Sequence, residues 1–249
     1  VSFLDRLSFQ LYSARNFPPI DRQLETLAGL GYHKVEPFGG LLKEPDSLKS
    51  ALDKNGFAVP TTHFGIDDMR ADIDSAASIA KRFGVGILVL PWLNPDQRPT
   101  DAVGWTAFGK ELQGFAAKLK QKDLRLAWHN HDFEMRPLPD GKIPMDLILA
   151  AAPDLLWEAD IGWIVRAGGD PLPWLERYRD RIKAVHIKDV APSGKNKEED
   201  GWADVGNGEI DWKRLVPALR SAEIMIVEHD NPGDFERFAR RSREAIAKW

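Results

Sequence analysis

Eight times along this 249-residue chain a short apolar run bounded by turn residues gives way to a stretch of helical periodicity. The runs that read as strands are Leu7–Tyr12, Lys34–Pro37, Ala58–His63, Gly86–Pro91, Arg125–Asn130, Leu155–Asp160, Ala184–Lys188 and Ile224–His229. Helical spacing occupies Asp21–Leu30, Leu48–Asn55, Ile73–Phe83, Ala102–Lys122, Pro144–Ala152, Leu172–Tyr178, Trp212–Ser221 and Phe235–Lys248. Strict alternation predicts a parallel sheet covered by helices. Eight units with no strand left over predict closure into a (β/α)8 barrel. Length agrees, since one such barrel takes roughly 250 residues, so residues 1–249 are expected to form one domain.

Several helical segments stop at a glycine directly before a strand: Gly31 before "YHKVEPF", Gly56 before "FAVPTTHF" and Gly84 before "VGILVLPWL". These positions call for the left-handed cap conformation that glycine adopts without steric cost. No Pro- or Ser-rich linker divides the chain. Its least apolar stretch, Ala191 to Glu209, follows the seventh strand, on the side of a barrel where catalytic loops lie. It reads either as a lid or as a solvated surface insertion.

Composition excludes several classes of function. With 43% hydrophobic and 29% charged residues the chain is an ordinary globular one. A net charge of -4 and a pI near 5.9 give no cationic excess for nucleic-acid phosphates, so a small-molecule substrate is expected and no nucleic acid. The absence of cysteine removes disulfides, thiolate catalysis and Cys-ligated zinc together. Val85 to Leu93 is the longest apolar stretch, well short of the ~20 residues that span a bilayer, so no membrane partner is expected. With no basic-then-apolar leader at Val1 the expectation is a cytoplasmic chain, a removed leader being the alternative. A homo-oligomer is compatible with all of this.

Barrel chemistry gathers at the carboxyl ends of the strands, and five of the six histidines fall there: His63, His129, His131, His186 and His229. Glu36, Glu134, Asp160, Lys188 and Glu228 join them. So many ionisable groups are too costly inside a barrel unless paired or bound to a metal. Glu134, Asp160, His186 and Glu228 follow four successive strands and form a candidate ligand set for one divalent ion. Three carboxylates and one imidazole favour a hard or borderline ion, Mn²⁺ first, then Mg²⁺ or Co²⁺, with Zn²⁺ also in range. The competing reading makes Glu134 a helix cap, Asp160 and Glu228 members of ordinary ion pairs, and His186 a satisfied interior histidine.

Period-2 geometry places His129 and His131 on one side of the fifth strand, and Lys188 on the side of His186. Lys188 is read as holding a developing oxyanion, or alternatively as paired with Asp160 or Asp189. Glu36 and His63 are expected to bind substrate hydroxyls, while His33 and His229 have the outward parity. Of the nine tryptophans, Trp92 and Trp163 are candidate pocket walls able to pack on the C–H face of a sugar. Trp128 and Trp157 read as packing.

These residues also carry a family resemblance. "WHNHDFEM" (Trp128 to Met135), "ADIGWIVRAGGDP" (Ala159 to Pro171), "RIKAVHIKDV" (Arg181 to Val190), "GNGEIDW" (Gly206 to Trp212) and "VEHD" (Val227 to Asp230) occur in this order. Together they resemble the sugar isomerase/epimerase family with the xylose isomerase-like TIM barrel. The resemblance covers the whole chain and is strongest from residue 125 onward. It implies a divalent metal held by Glu134, Asp160, His186 and Glu228, with carboxylates of this set doubling as proton-transfer groups, and His129, His131 and Lys188 touching substrate or orienting the ligands. Trp163 stands where many relatives have histidine, which leaves the substrate open.

The chemistry that fits is proton transfer next to a carbonyl of a sugar or sugar derivative through an enediolate. Glu134 and Glu228, coming from strands separated around the barrel, would act as base and acid on opposite sides of one carbon and epimerise it. A single carboxylate returning the proton to the adjacent carbon would give an aldose–ketose shift. Expulsion of a β-substituent would make the enzyme a lyase or dehydratase. Two further readings compete: apurinic-site endonuclease chemistry, disfavoured by the acidic pI, and a sugar-binding barrel without catalysis.

Overall fold

A computed structural model describes residues 2–249. The barrel strands are β1 (Leu7–Gln10), β2 (Val35–Glu36), β3 (Thr61–His63), β4 (Ile87–Leu90), β5 (Arg125–His129), β6 (Leu156–Asp160), β7 (Ile182–Ile187) and β10 (Ile224–Val227). Two further short strands, β8 (Asp189–Val190) and β9 (Trp202–Ala203), pair antiparallel outside the barrel. The eight-stranded sheet runs β2-β1-β10-β7-β6-β5-β4-β3 with every ladder parallel. Its two ends meet through main-chain bonds: Ala58 N–H donates to His33 O (3.0 Å), Val35 N–H to Ala58 O (3.1 Å) and His63 N–H to Pro37 O (2.9 Å). The result is a near-closed TIM barrel of eight strands, as the alternation predicts.

Helices α1 (Ile20–Gly29), α2 (Pro45–Lys54), α3 (Ile66–Ala71), α4 (Ile73–Phe83), α5 (Ala102–Lys120), α6 (Pro144–Ala151), α7 (Ile161–Arg166), α8 (Pro171–Arg177), α9 (Trp212–Leu219) and α10 (Phe235–Ile246) surround it. Proline opens α2, α6 and α8, where its missing N–H is no loss. Asp72, Asp101, Asp170 and Asp234 accept N–H groups at the starts of α4, α5, α8 and α10, each cap contributing about 1 kcal/mol. Gly84 ends α4 with φ +71°, and Gly31 and Gly56 are also left-handed. The six-residue helices α3 and α7 are additions to the predicted pattern, too short to show a period.

Inside the barrel, Ile87, Val89 and Ala127 form an apolar plug backed by Leu156. Since alternate residues of a strand share a face, Ala127 pointing inward brings His129 inward, and Leu156 brings Glu158 and Asp160. A polar layer therefore sits on the plug, at the carboxyl ends of the strands. The segment 191–209 is exposed over Pro192–Lys195 and anchored in its second half. Its β9 residue Trp202 is 1% exposed, and the buried Asp189 carboxylate accepts N–H groups from Gly206 (2.8 Å), Gly208 (3.3 Å), Ile210 (3.3 Å) and the Trp212 indole (2.9 Å). Among the described residues no helix is long and apolar enough to cross a membrane.

Candidate metal centre and substrate cavity

Two layers of donors converge on His186. Its Nδ1 lies 2.8 Å from Glu228 Oε2 and 3.9 Å from Asp160 Oδ2, while its Nε2 lies 2.9 Å from Glu36 Oε1 and 3.2 Å from Glu158 Oε2. His63 Nε2 faces the same lower carboxylates, at 2.7 Å from Glu158 and 3.1 Å from Glu36. Gln10 donates to Glu36 at 2.8 Å and completes that layer. In the upper layer Lys188 Nζ donates to Asp230 (2.6 Å), Glu228 (2.9 Å) and Asp160 (3.5 Å). Asp160 serves two elements: Oδ1 accepts the Trp163 N–H at 2.9 Å and caps α7, and Oδ2 faces His129 Nε2 at 3.4 Å.

Four donor atoms of His129, Asp160, His186 and Glu228 lie within 4.8 Å of one another, and so do four of His63, His129, Glu158 and His186. Glu134 belongs to neither group. Its buried carboxylate accepts the Trp128 indole N–H (2.9 Å) and the His131 N–H (2.8 Å) instead, fixing the turn that follows β5. Geometry thus puts His129 where the sequence reading put Glu134. With two imidazoles and two carboxylates, the donor balance moves away from Mg²⁺ and toward a borderline ion.

The electrostatics follow from burial and neighbours. Burial works to raise the pKa of Glu228, but Lys188 and His186 outweigh it and hold the carboxyl well below the usual range. Glu36 is likewise low, because His63 and His186 overcome its burial. Against their own burial, Glu36 and Glu158 push His63 up to about 10, and Glu158 and Glu228 raise His186 well above its ordinary value. His129 goes the other way: burial, then the cationic His186 and His63, keep it neutral and well below normal. His131 is lowered by burial and His129. Burial carries Asp230 up to about 6 despite Lys188, and Glu134 up to about 8 despite its hydrogen bonds.

Above these layers opens a cavity of about 650 Å³, within the ~300–1,000 Å³ typical of small-molecule sites. His63, His129, Glu228 and Asp230 line it, with Tyr12, Phe38, Trp92, His131, Phe133 and Trp163 as its aromatic walls. Trp92 meets His131 edge-on at 4.9 Å, and Trp163 packs on Trp202 of β9 at 4.8 Å. Arg98 covers Phe133 at 3.7 Å and Arg15 covers Tyr12 at 3.8 Å.

The sequence-predicted residues are therefore distributed as follows. His63, Trp92, His129, His131 and Trp163 line the cavity, whereas Glu36 and Lys188 sit behind it within the ionic layers. Trp128 and Trp157 are fully buried, with indole N–H groups donated to Glu134 and Asn130. His33 is exposed, and His229 packs on Phe238 among the helices. Sequence reasoning missed Glu158, Asp230 and Asn130, whose side-chain oxygen fixes the start of Asp160 through its N–H at 2.9 Å. Parity alone would have found the first two: each lies two residues from a chosen one, Asp160 and Glu228.

Comparison with known proteins decides the family. The model of the xylose isomerase-like TIM barrel matches residues 24–249. The chain belongs to that family. As a xylose isomerase-like TIM barrel, it is 27% identical over 134 residues to the inosose dehydratase of Lacticaseibacillus casei, a match covering 47% of this chain and 43% of that protein. The chain thus matches less than half the length of the curated relative. A sugar phosphate isomerase/epimerase from Parabacteroides distasonis superposes with a TM-score of 0.79 at 20% identity, covering 97% of this chain and 93% of that one. The IolI protein, with a bound zinc atom, superposes at 0.77 and 14% identity, covering 98% of each chain. At these identities the structural likeness speaks for the fold.

Proposed function

We propose that this member of the family is a metal-dependent enzyme that moves a proton next to a carbonyl of a sugar-type substrate, as an isomerase or epimerase. One observation carries the reading: His129, Asp160, His186 and Glu228 converge beneath an aromatic cavity, and neither nitrogen of the buried His129 has a hydrogen-bond partner. An imidazole kept neutral and unpartnered is suited to ligation. These four residues would hold one Mn²⁺, Co²⁺ or Zn²⁺ ion. When bound, such an ion supplies a Lewis acid that stabilises negative charge developing on the carbonyl and neighbouring hydroxyl oxygens.

The chain's own residues supply the rest. Trp92 and Trp163 offer flat faces to the sugar C–H groups. Efficient proton transfer needs a pKa close to the working pH, which favours Asp230, pushed up to about 6 by burial, over Glu228, held fully ionised. His131 faces the cavity from β5 with an unpartnered Nδ1, three positions round the sheet from β10, which leads to Asp230. It is suited to hydrogen-bond a substrate hydroxyl on the far side. Lys188 keeps Asp230 and Glu228 in place.

A second reading is favoured by the inosose dehydratase match. The same abstraction would break a C–H bond, form a carbon–carbon double bond and expel a β-hydroxyl as water. Elemental analysis followed by a D₂O exchange screen over keto-sugars and inososes tests both. Incorporation of deuterium without water loss supports isomerisation, and an unsaturated product supports dehydration. Absence of bound metal together with absence of exchange would overturn the proposal.

A further inference from the structure

We propose that the mouth of the cavity is a second sugar subsite, so that the substrate is a glycoside whose non-reacting pyranose packs against the exposed rings of Tyr12 and Trp92. The position of the reacting ring is that of the proposed function, on which this proposal rests. The outer subsite stands on residues of its own.

Size is the starting point. A hexose is six CHOH units, each close to one water's share of about 30 Å³, so it fills roughly 180 Å³. The cavity offers about 650 Å³, which holds the reacting ring and leaves room for another. Exposure marks where the second ring lies. Among the described residues three large apolar side chains are exposed, Tyr12 (37%), Trp92 (42%) and Val103 (77%), and the first two line this cavity. Both rings are held in place all the same. The Arg15 guanidinium covers Tyr12 at 3.8 Å and Phe38 meets it edge-on at 5.3 Å. Trp92 is held by Arg98 at 4.6 Å, by Phe133 at 5.8 Å and by an indole N–H bond to Asn94 at 3.1 Å. Aromatic faces that are fixed yet uncovered are preorganised to take a ligand. Trp163, half-buried and 5.2 Å from the Lys188 ammonium, is left to the reacting ring.

Charge at the mouth selects among ring-shaped ligands. Arg15 and Arg98 line it from the connections after β1 and β4, Asp132 from the loop after β5 and Asp200 from the β8–β9 connection. Two cations against two anions favour a neutral ligand over a phosphate or a carboxylate. The same groups keep hydrogen-bonding capacity in reserve. Arg98 donates its Nε N–H to the Leu93 carbonyl (2.9 Å), and Arg15 donates from Nη1 to the carbonyls of Tyr12 (2.9 Å) and Asp230. Among the described residues the other N–H groups of both find no protein acceptor. Asp132 commits one oxygen to Arg136 and keeps the second. A hydroxyl both donates and accepts, and arginines and carboxylates together meet both needs. A pyranose is apolar on its C–H faces and polar around its edge, which matches aromatic faces set among balanced ions. An aryl group would stack but leave those ions without partners. Binding free energy gained on a ring away from the chemistry serves to orient the reacting carbon.

The test is calorimetric titration of the purified protein with glucose, maltose, cellobiose and trehalose. It compares the wild type with Tyr12→Ala, Trp92→Ala, the conservative Trp92→Phe and, as a control on an exposed apolar residue outside the cavity, Val103→Ala. Circular dichroism checks the fold of each, and both rings are exposed enough that their removal opens no core. At least one disaccharide is expected to bind the wild type about 10-fold more tightly than glucose, the scale of one or two aromatic contacts. Tyr12→Ala and Trp92→Ala are expected to lose that advantage with glucose affinity unchanged, Trp92→Phe to keep part of it and Val103→Ala all of it. No disaccharide binding more tightly than glucose, or an advantage that survives in both alanine variants, overturns the outer subsite. Metal analysis and deuterium exchange into fructose, run in parallel, keep the two proposals apart. Exchange without a disaccharide advantage overturns the subsite and leaves the proposed function standing. A disaccharide advantage in a protein without metal or exchange supports the subsite and overturns that function.

Discussion

Replacing Asp189 with asparagine removes a charge while keeping the shape, and the cost is readable from the bonds that converge on it. Oδ1 accepts N–H groups from Val190 (2.9 Å) and Ile210 (3.3 Å), and Oδ2 accepts those of Gly206, Gly208 and the Trp212 indole. An amide keeps one acceptor oxygen. Turned toward the three-donor side, it leaves the Val190 and Ile210 N–H groups facing an NH₂. Bonds to a charged acceptor are worth about 1.5–3 kcal/mol each, neutral ones about 0.5–1.5. Each retained bond thus weakens by about 1 kcal/mol and each orphaned donor costs about as much, partly offset because a carboxylate no longer has to be desolvated. The expected net loss is about 3 kcal/mol. In a protein of this size 1 kcal/mol moves Tm by roughly 2–4 °C, so thermal unfolding followed by circular dichroism is expected to show a fall of roughly 6–12 °C. A shift below about 2 °C would refute the view that this carboxylate anchors the segment after β7.

A methyl at Gly208 would overlap the Asp189 carboxylate and the Val190 carbonyl, so Gly208→Ala is expected to lose a similar amount of stability, with little further loss when combined with Asp189→Asn. Glu134, raised to about 8 by burial against 4.5 for the free group, keeps its proton in the folded state across that window. Its contribution to stability is therefore greatest near pH 4.5 and falls as pH rises through 8, each unit being worth about 1.4 kcal/mol. The stability difference between wild type and Glu134→Gln, measured by urea unfolding, is expected to shrink by several kcal/mol between pH 5 and 8.5, and a flat difference would contradict the assignment. Asp230→Asn is expected to lower the deuterium-exchange rate by about 10²-fold, as loss of a general base does, with metal content unchanged; an unaltered rate would remove Asp230 from the chemistry. Chelation is expected to lower Tm, and restored metal at 100 times Kd to return about 2.7 kcal/mol; a Tm indifferent to metal would count against a bound ion.

The barrel was legible in the sequence because its signals repeat. Each strand is a short apolar run and several joints carry a glycine or a helix-starting proline, so all eight strands and their eight covering helices fall where the pattern puts them. Features of two to six residues, the β8–β9 pair and helices α3 and α7, lie below the length at which a period can register. In the site, the residues on strand ends were readable, but harvesting only the last residue of a strand overlooked Glu158, which points inward one pleat deeper than Asp160. Glu134 shows a different limit. A motif marks it as prominent, yet its orientation is set by an indole and a main-chain N–H, partners that no spacing rule reveals. His129 lies on the face that parity gives it and lines the cavity, while its unpartnered buried nitrogens are visible only in three dimensions.

The two oxygens of Asp160 tie together parts that would otherwise vary independently. One begins the short helix bearing Trp163 and the other looks into the ionic layer. Any drift in that carboxylate tilts the aromatic wall, and any repacking of the wall pulls on the carboxylate. Divergence toward new substrates along this lineage is therefore channelled into residues reached from other strands, such as Trp92 and Phe38, whose replacement leaves the Asp160 linkage intact.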